Sequence, residues 1–314
     1  MILCGDIGGT KALFGLAELV AGRPRIRHRQ RLECADFADF PSLLAAFLAA
    51  APAELPRPGA GCLAVAGPVA DDGRFARLTN LPWAVECADL EKDFGLPRLH
   101  LVNDFAAAAM GVLAATDNDL VRLQTGEPLP QGVKLVVGAG TGLGMAVLVP
   151  DPAAAAGWRV LPGEGGHVGF APQDEIQARV WAALLQEHGR VTNERLISGS
   201  GLAAIHRILA DELLEPAAIT AAALEDANGA ARTSVNVFLA AYGAYAGDMA
   251  LALMARGGVY LAGGIAARLL PLFPVSPFLA AFNAKAEHAA LAARMPVAVA
   301  IDPDLGLKGA ALLA

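Results

Sequence analysis

Two glycine-rich turns, far apart in the sequence, each follow one apolar segment and precede another. The first spans Asp6 to Thr10 and the second spans Gly138 to Gly144. Glycine allows a positive φ and lets backbone N–H groups approach a bound anion closely. Neither turn is followed by the Gly-Lys-Ser/Thr of a P-loop, and neither fits G-x-G-x-x-G. One such turn is usually structural, whereas two of them predict a clamp for phosphate groups.

Polar side chains lie where predicted strands end. Asp6 closes the first strand, a position at which nucleotide enzymes often hold Mg²⁺ through water, although a turn-stabilising Asp explains the local pattern equally well. Asn103 and Asp104 lie between a strand and a helix, at the edge where open α/β sheets gather ligands. The local pattern around Asp104, taken alone, favours a helix cap.

An acid and an imidazole, Glu164 and His167, lie three residues apart in a glycine-rich loop. Zinc would need further ligands at metal spacing, and no H-E-x-x-H is present in the sequence. Glu194 precedes a glycine-serine stretch, 198–201, whose spacing differs from the G-x-S-x-G of hydrolases, so we expect a turn that starts a helix. The other histidines are expected on surfaces or at strand ends: His28, His100, His188, His206 and His288.

The elements that must position these residues alternate between strands and helices. Strands over 2–7 and 10–19 flank the first turn, and the same strand, turn, strand pattern recurs over 135–149. A chain of 314 residues suits two α/β lobes better than one compact domain. We expect one domain of residues 1–110 plus about 300–314, and a second of residues 111–299.

Composition restricts the class of protein. The chain is 55% hydrophobic with a mean hydropathy of +0.46, but its most apolar stretch, 257–282, is cut by glycines and prolines, so no membrane partner is expected. We expect no signal peptide. The basic residues are scattered apart from Arg23 to Arg31, which favours an edge strand over a nucleic-acid site. Four cysteines without a C-x-x-C are expected to be reduced, buried thiols of a cytoplasmic protein.

In their order along the chain, these motifs resemble the bacterial glucokinases among the hexokinase-like, actin-fold sugar kinases. The resemblance covers nearly the whole chain and lies in these segments: Gly5 to Thr10, Leu78 to Trp83, Val102 to Phe105, Gly138 to Gly144, Leu161 to His167, Glu194 to Gly201 and Gly258 to Ile265. Three positions depart from the glucokinase pattern. Lys11 replaces the usual Asn and is typical of the related ROK sugar kinases, Gly169 replaces an acid, and Ser200 replaces a Pro. The ROK cysteine cluster is absent, because no cysteine follows Cys87, and this favours the glucokinases.

The resemblance implies a fold, a reaction and a set of roles. The fold would be α/β, with two ribonuclease-H-like (actin-like ATPase) lobes and a sugar/ATP cleft between them. The reaction would be ATP-dependent phosphorylation of glucose at the 6-hydroxyl, with Asp104 as general base, and such enzymes are commonly homodimers. The sugar hydroxyls would be bound by Asn103, Asp104, Glu164, His167 and Glu194. The phosphates of ATP would be held by Asp6, Gly8, Gly9, Thr10, Lys11, Gly138, Gly140, Thr141 and Gly142. Gly263 and Gly264 would lie near the adenosine, and Asp6 would hold Mg²⁺ through water.

Three alternatives stay open at this point. One is a ROK-type kinase for another hexose or amino sugar. Another, from a different class, is a non-catalytic sugar sensor on the same fold, which would need a DNA-binding segment ahead of Asp6. The last is an actin-like or chaperone ATPase, which would hydrolyse ATP without any sugar.

Overall fold

The computed structural model describes residues 1–79, 81–154 and 156–314. Asn80, in one of the resembling segments, therefore lies outside the described residues. The chain divides into two compact units. One comprises Met1–Thr116, Asp151–Pro162 and Asp302–Ala314, and the other comprises Asp117–Pro150 and Gly163–Ile301.

The strands are β1 (Ile2–Ile7), β2 (Lys11–Val20), β3 (Arg23–Glu33), β4 (Ala60–Val65), β5 (Phe75–Arg77), β6 (Ala84–Glu86), β7 (Leu99–Asn103), β8 (Leu120–Gln124), β9 (Lys134–Ala139), β10 (Leu143–Pro150), β11 (Trp158–Gly163), β12 (Gly258–Ala262) and β13 (Val297–Ala300). The α-helices are α1 (Phe40–Ala50), α2 (Cys87–Phe94), α3 (Asp104–Gly111), α4 (Glu175–His188), α5 (Gly199–Ala210), α6 (Pro216–Glu225), α7 (Ala230–Ala252), α8 (Gly264–Arg268), α9 (Phe278–Asn283), α10 (Ala289–Ala293) and α11 (Leu305–Leu313). Short 3₁₀ helices include Gly165–His167, Asn193–Arg195 and Leu270–Val275.

The sheet of the first unit has the order β3-β2-β1-β4-β7. β3, β2 and β1 are antiparallel, whereas β1, β4 and β7 are parallel. Ile7 is in register with Val65, and Val65 with Asn103, so the carboxyl ends of the three parallel strands meet at one edge. This edge is where an α/β sheet can present polar side chains to a ligand.

Both faces of this sheet are covered. An aromatic core that includes Phe14, Phe40 and Phe47 fills the face toward α1. The opposite face packs Cys4 and Cys62 against α3 and α11. All four cysteines are free and buried, which confirms the predicted burial of the thiols.

Two glycines allow α3 and α11 to cross with their backbones in contact. A side chain at Gly111 would overlap the carbonyl of Leu305, and one at Gly309 would overlap the carbonyl of Ala107. Replacing either glycine would force the helices apart, since the neighbouring atoms belong to backbone. The contact fixes α3, whose first residue is Asp104, relative to α11.

In the second unit the strands β10-β9-β12-β13-β8 are neighbours in that order. β10 and β9 are antiparallel, and β9, β12 and β13 are parallel, so the unit repeats the pattern of the first sheet. Helix α7 is buried along most of its length, and its Tyr242 hydroxyl donates to the Val137 carbonyl at 3.2 Å. None of the helices in the described residues is long and apolar enough to cross a membrane.

In the segment 264–275, α8 is followed by a 3₁₀ helix, because Pro271 and Pro274 cannot continue an α-helix. One expectation about local structure was wrong. His206, expected on a surface or at a strand end, is only 1% exposed and lies inside α5. Its Nδ1 lies 3.0 Å from the Ser234 hydroxyl, which supplies the partner that a buried imidazole needs.

Candidate active site

The first glycine turn joins β1 to β2 in the first unit. Gly8 N–H donates to the Lys11 carbonyl at 3.0 Å, and Cys34 N–H donates to the Thr10 carbonyl at 2.9 Å. These bonds hold the turn at both ends, while the side chains of Thr10 and Lys11 are exposed. Gly9 completes the turn. The arrangement suits a backbone clamp for an anion, with a hydroxyl and an ammonium beside it.

Asp6 lies one residue before the end of β1 and is half-buried. Its pKa is raised from the ordinary value of 3.8 to about 6, first by burial and then by the neighbouring carboxylate of Asp104, while Lys11 acts in the opposite direction. Two carboxylates close enough to affect each other form a place where a cation is stabilised. This electrostatic arrangement fits a Mg²⁺ ion held through water.

A glycine on α11 allows the Asp6 carboxylate its position. A Cβ atom at Gly306 would lie 2.5 Å from Asp6 Oδ2. Sequence reasoning did not select Gly306, because an isolated glycine carries no signal for a contact with a residue 300 positions away. We infer that residue 306 must lack a side chain if Asp6 is to keep this orientation.

Asn103 and Asp104 are at the junction of β7 and α3. The side-chain oxygen of Asn103 caps the helix, accepting from Phe105 N–H at 2.9 Å and from Ala106 N–H at 3.2 Å. Asp104 is the first residue of α3, and its Oδ1 accepts from Phe105 N–H at 2.8 Å. The cap that the local pattern assigned to Asp104 is therefore formed by Asn103. The start of a helix favours a negative charge, so this position stabilises the Asp104 carboxylate.

The second glycine turn joins β9 to β10 in the second unit. Gly140 N–H donates to the Gly142 carbonyl at 2.8 Å, and Thr141 at the tip is exposed. Glu194 reaches this turn from outside: its Oε2 accepts from Leu143 N–H at 2.8 Å. Gly138, in contrast, is buried within β9. The turn thus presents backbone groups and one hydroxyl at an exposed tip.

The loop with Glu164 and His167 packs against the same turn. A side chain at Gly165 would lie 2.5 Å from the Tyr245 hydroxyl, and one at Gly166 would overlap the Leu143 carbonyl. The two glycines therefore bring the backbone close to β10, while the side chains of Glu164 and His167 stay 86% and 60% exposed. His167 Nε2 lies 3.8 Å from Glu164 Oε2. Both groups are thus available to a ligand and are close enough to bind neighbouring hydroxyls of one small molecule.

The Gly263–Gly264 pair lies beside the second glycine turn. Ala262 at the end of β12 is in register with Gly138 of β9, and Gly263 follows with a φ of +86°. A Cβ at residue 263 would lie 2.7 Å from the Ala139 carbonyl. Glycine is needed there for both reasons. The structure therefore brings the pair to the edge of the unit that carries Gly140 and Thr141.

A groove between α5 and α6 adjoins this edge, and sequence reasoning did not predict it. Its volume is about 870 Å³ and it is lined by Ser200, Ala203, Ala204, Arg207, Leu213, Leu214, Glu215, Pro216 and Ala218. Gly199, at the start of α5, donates its N–H to the Gly140 carbonyl at 2.9 Å. A Cβ at Gly199 would lie 3.7 Å from Pro216. The groove begins where the glycine turn ends.

The predicted helix-start turn at 198–201 is confirmed. Ser198 is the N-cap of α5, and its hydroxyl accepts from Gly201 N–H at 3.0 Å. In the segment Leu78 to Trp83, Trp83 has a structural role. Trp83 is 8% exposed and its indole N–H donates to the Ala38 carbonyl at 3.1 Å.

Comparisons with known proteins agree with this architecture. The family model described as Glucokinase matches residues 3–314. A glucokinase of Nostoc punctiforme is 36% identical, with 100% of this chain and 98% of the relative covered. The crystal structure of a glucokinase from an Antarctic psychrotroph has 31% identity and a TM-score of 0.88, covering 99% of this chain and 98% of the other. The fold is also that of a ROK family glucokinase from Streptomyces griseus, crystallised with glucose and AMPPNP, at 21% identity and a TM-score of 0.69 over 100% of this chain and 98% of that chain.

These structural neighbours define the class, which is the α/β fold of two ribonuclease-H-like (actin-like ATPase) lobes found in hexokinase-like sugar kinases, and they confirm the predicted fold. The match to the family model extends over nearly the whole chain, and the relatives are covered almost end to end. The chain belongs to the glucokinase family.

Proposed function

We propose that this protein is a glucokinase that transfers the γ-phosphoryl group of ATP to the 6-hydroxyl of glucose. The observation that carries the proposal is the position of Asp104. It is the first residue of α3, next to a cap supplied by Asn103, at the edge where β1, β4 and β7 end. A carboxylate at this edge of an α/β sheet lies where ligands bind, and we assign it to proton transfer.

Asp104 acts as the general base. It accepts the proton of the sugar 6-hydroxyl as that oxygen attacks phosphorus, and a positioned base contributes roughly 10²–10⁴-fold to the rate. Phosphoryl transfer otherwise depends on positioning and charge stabilisation. The backbone N–H groups of the two glycine turns, together with Lys11, supply that stabilisation around the phosphates.

Side chains that donate hydrogen bonds and side chains that accept them recognise the sugar together. Asn103 uses its oxygen as a helix cap, and its amide NH₂ donates to a hydroxyl. Glu164, His167 and Glu194 bind further hydroxyls. Acceptors and donors are mixed because every hydroxyl of a polyol both donates and accepts. Such a site discriminates strongly against a sugar that lacks one hydroxyl.

The nucleotide lies along the second unit in this proposal. Its phosphates bind at Gly140, Thr141 and Gly142, its adenosine lies by Gly263 and Gly264, and the α5–α6 groove takes part of the base. Mg²⁺, when bound, neutralises charge on the phosphates. Asp6 orients the water around it, a role supported by the second carboxylate beside it. No group of three or more His, Cys, Asp or Glu side chains forms a metal cage among the described residues, which suits an ion held mainly by phosphates and water.

The proposal also includes the location, the oligomeric state and the metabolic role of the enzyme. We place it in the cytoplasm, as a homodimer, where glucose 6-phosphate enters glycolysis. Size-exclusion chromatography with light scattering measures the oligomeric state directly. A monomer at micromolar concentration would contradict the dimer and leave the catalytic proposal intact.

A panel of sugars and phosphoryl donors tests the activity. The purified protein is assayed with glucose, mannose, fructose and N-acetylmannosamine against ATP and polyphosphate. We expect the highest kcat/KM with glucose and ATP, and almost no ATP consumption without sugar. A preference for an amino sugar would support the ROK-type alternative, and sugar-independent hydrolysis would support an actin-like ATPase.

A further inference from the structure

Glu194 is bonded to the backbone of the second glycine turn. Its Oε2 accepts from Leu143 N–H at 2.8 Å, and Leu143 is buried. A Cβ at Gly142 would lie 2.5 Å from the same oxygen, so the glycine makes room for the carboxylate. A buried N–H that loses its acceptor destabilises the local structure, and the bond to a charged acceptor is among the stronger ones in proteins. One oxygen of Glu194 is thus used within the protein, whatever the other oxygen binds.

The segment that carries Glu194 holds the turn at a second point. Gly199 N–H donates to the Gly140 carbonyl at 2.9 Å. The segment itself is fixed by Ser198, whose hydroxyl donates to the Glu194 carbonyl at 2.8 Å and accepts from Gly201 N–H at 3.0 Å. Both strands of the turn are therefore tied to one rigid stretch of chain.

The same stretch also holds the loop of Glu164 and His167. Asn193 donates to the Val168 carbonyl twice, from its backbone N–H at 3.0 Å and from its side-chain amide at 2.9 Å. Val168 directly follows His167. The residues 193–201 therefore join the loop assigned to the sugar with the turn assigned to the phosphates.

We propose that Glu194 is a positioning residue for the phosphate-binding turn in addition to a sugar ligand. Oε2 fixes Leu143 N–H and with it the shape of the turn, while Oε1 accepts from a sugar hydroxyl. Removal of the carboxylate should then weaken the binding of the nucleotide as well as the binding of the sugar. This inference rests on the proposed function, because it assigns the turn to ATP.

Two substitutions at residue 194 separate the roles. Glu194→Ala removes both acceptors, and we expect the KM values for glucose and for ATP each to rise about tenfold or more, since bonds to charged groups are lost. Glu194→Gln keeps one oxygen for Leu143 N–H but turns an NH₂ toward the sugar. It should raise the KM for glucose and leave that for ATP within about twofold of wild type. An ATP KM that stays at the wild-type value in Glu194→Ala would overturn the proposal.

A second variant acts from the other side of the contact. Gly142→Ala pushes the carboxylate away from Leu143 N–H without changing residue 194, and it should raise the ATP KM as Glu194→Ala does. Gly169→Ala is the matched control, because a Cβ there meets nothing within 4 Å. We expect wild-type constants from it. A Gly142→Ala protein that binds ATP normally would contradict the proposal, even if Glu194→Ala does not fold.

Calorimetry with Mg-ATP alone separates this inference from the proposed function. If the wild-type chain shows no glucose-dependent turnover, the proposed function fails. The Glu194 inference is then still tested, since Glu194→Ala should bind Mg-ATP about tenfold more weakly than Glu194→Gln. Equal dissociation constants for the two variants would overturn it.

Discussion

The two glycine turns have the same topology but obtain their charged groups differently. Each joins two antiparallel strands, β1 to β2 and β9 to β10, and in each unit the first of these strands has a parallel neighbour on its other side. The first turn has a carboxylate on its own strand, Asp6, two residues before Gly8. The corresponding position before Gly140 is Gly138. The second turn instead has the carboxylate of Glu194, which comes from a segment about 50 residues further along the chain.

The acidic side chains of the two units also differ in their surroundings, and this indicates different chemical roles. In the first unit Asp6, on β1, and Asp104, at the start of α3 after β7, are close enough for their charges to interact. Burial and the like charge of Asp104 raise the pKa of Asp6. In the second unit the acids are exposed or bonded to backbone N–H groups. We infer that the carboxylates Asp6 and Asp104 of the first unit serve cation binding and proton transfer, and that Glu164 and Glu194 of the second unit serve recognition. Substitution of the first pair should therefore change mainly kcat, and substitution of the second pair should change mainly KM.

The largest expected effect is that of Asp104→Asn. The variant keeps its shape and its hydrogen bond to Phe105 N–H, because the amide oxygen can replace Oδ1 as acceptor. It cannot take up the proton, so kcat should fall about 10²–10⁴-fold while the KM for glucose stays within about tenfold of wild type. A coupled assay for glucose 6-phosphate measures both.

Asp89→Asn is the matched control for this prediction. Asp89 is also an acid in the first turn of a helix of the first unit, but it is exposed on α2. Its substitution should leave turnover unchanged. If Asp104→Asn turned over as fast as Asp89→Asn, Asp104 would not be the base, and the contrast between the two units would lose its main support.

Much of the site could be predicted from the sequence because it is encoded in short motifs. Clusters of glycine around Gly8 and Gly140 mark the two turns in the sequence, although none of these glycines has a positive φ. Asn103-Asp104 follows a strand that is visible in the residue pattern. The contact of Glu194 with Leu143 could not be predicted in this way. It joins residues 51 positions apart, and only the packing of the folded second unit brings them together.

The same limit applies to elements whose position depends on long-range contacts. Gly306 approaches Asp6 because α11 packs on the sheet that β1 belongs to. Residues 151–162 were assigned to the larger domain from their place in the sequence, whereas the structure groups them with the first unit. The contact of Gly306 and the grouping of residues 151–162 are determined by tertiary packing and not by local propensity. Helix α6 was also not predicted, although its alanines and the proline at its first position favour a helix locally.

A smaller effect is expected from Glu164→Gln in the second unit. The substitution removes a charged acceptor for a sugar hydroxyl but leaves the loop in place, because the contacts of Gly165 and Gly166 do not involve the carboxylate. The KM for glucose should rise about tenfold, with kcat and the KM for ATP near wild type. Glu175→Gln, an exposed acid at the start of α4, is the control and should change nothing. If Glu164→Gln raised the KM for glucose and the KM for ATP equally, this would argue against a role of Glu164 in sugar binding.

The smallest expected effect is on stability, and it tests whether the ionised carboxylate of Asp6 destabilises the fold. Burial and the Asp104 carboxylate raise the pKa of Asp6 to about 6. The folded protein therefore holds a proton at Asp6 that the unfolded chain releases near pH 3.8. The stability that this proton binding contributes is complete below pH 3.8 and is lost as the pH rises through 6.

Asp6→Asn has no charge to bury, so its melting temperature should exceed that of wild type by a few degrees at pH 7.5 and by less at pH 4.5, although its turnover falls. Thermal melts at both pH values measure the difference, with Asp89→Asn as the control that shows none. A gain that is the same at both pH values would mean that the ionised carboxylate of Asp6 does not destabilise the fold.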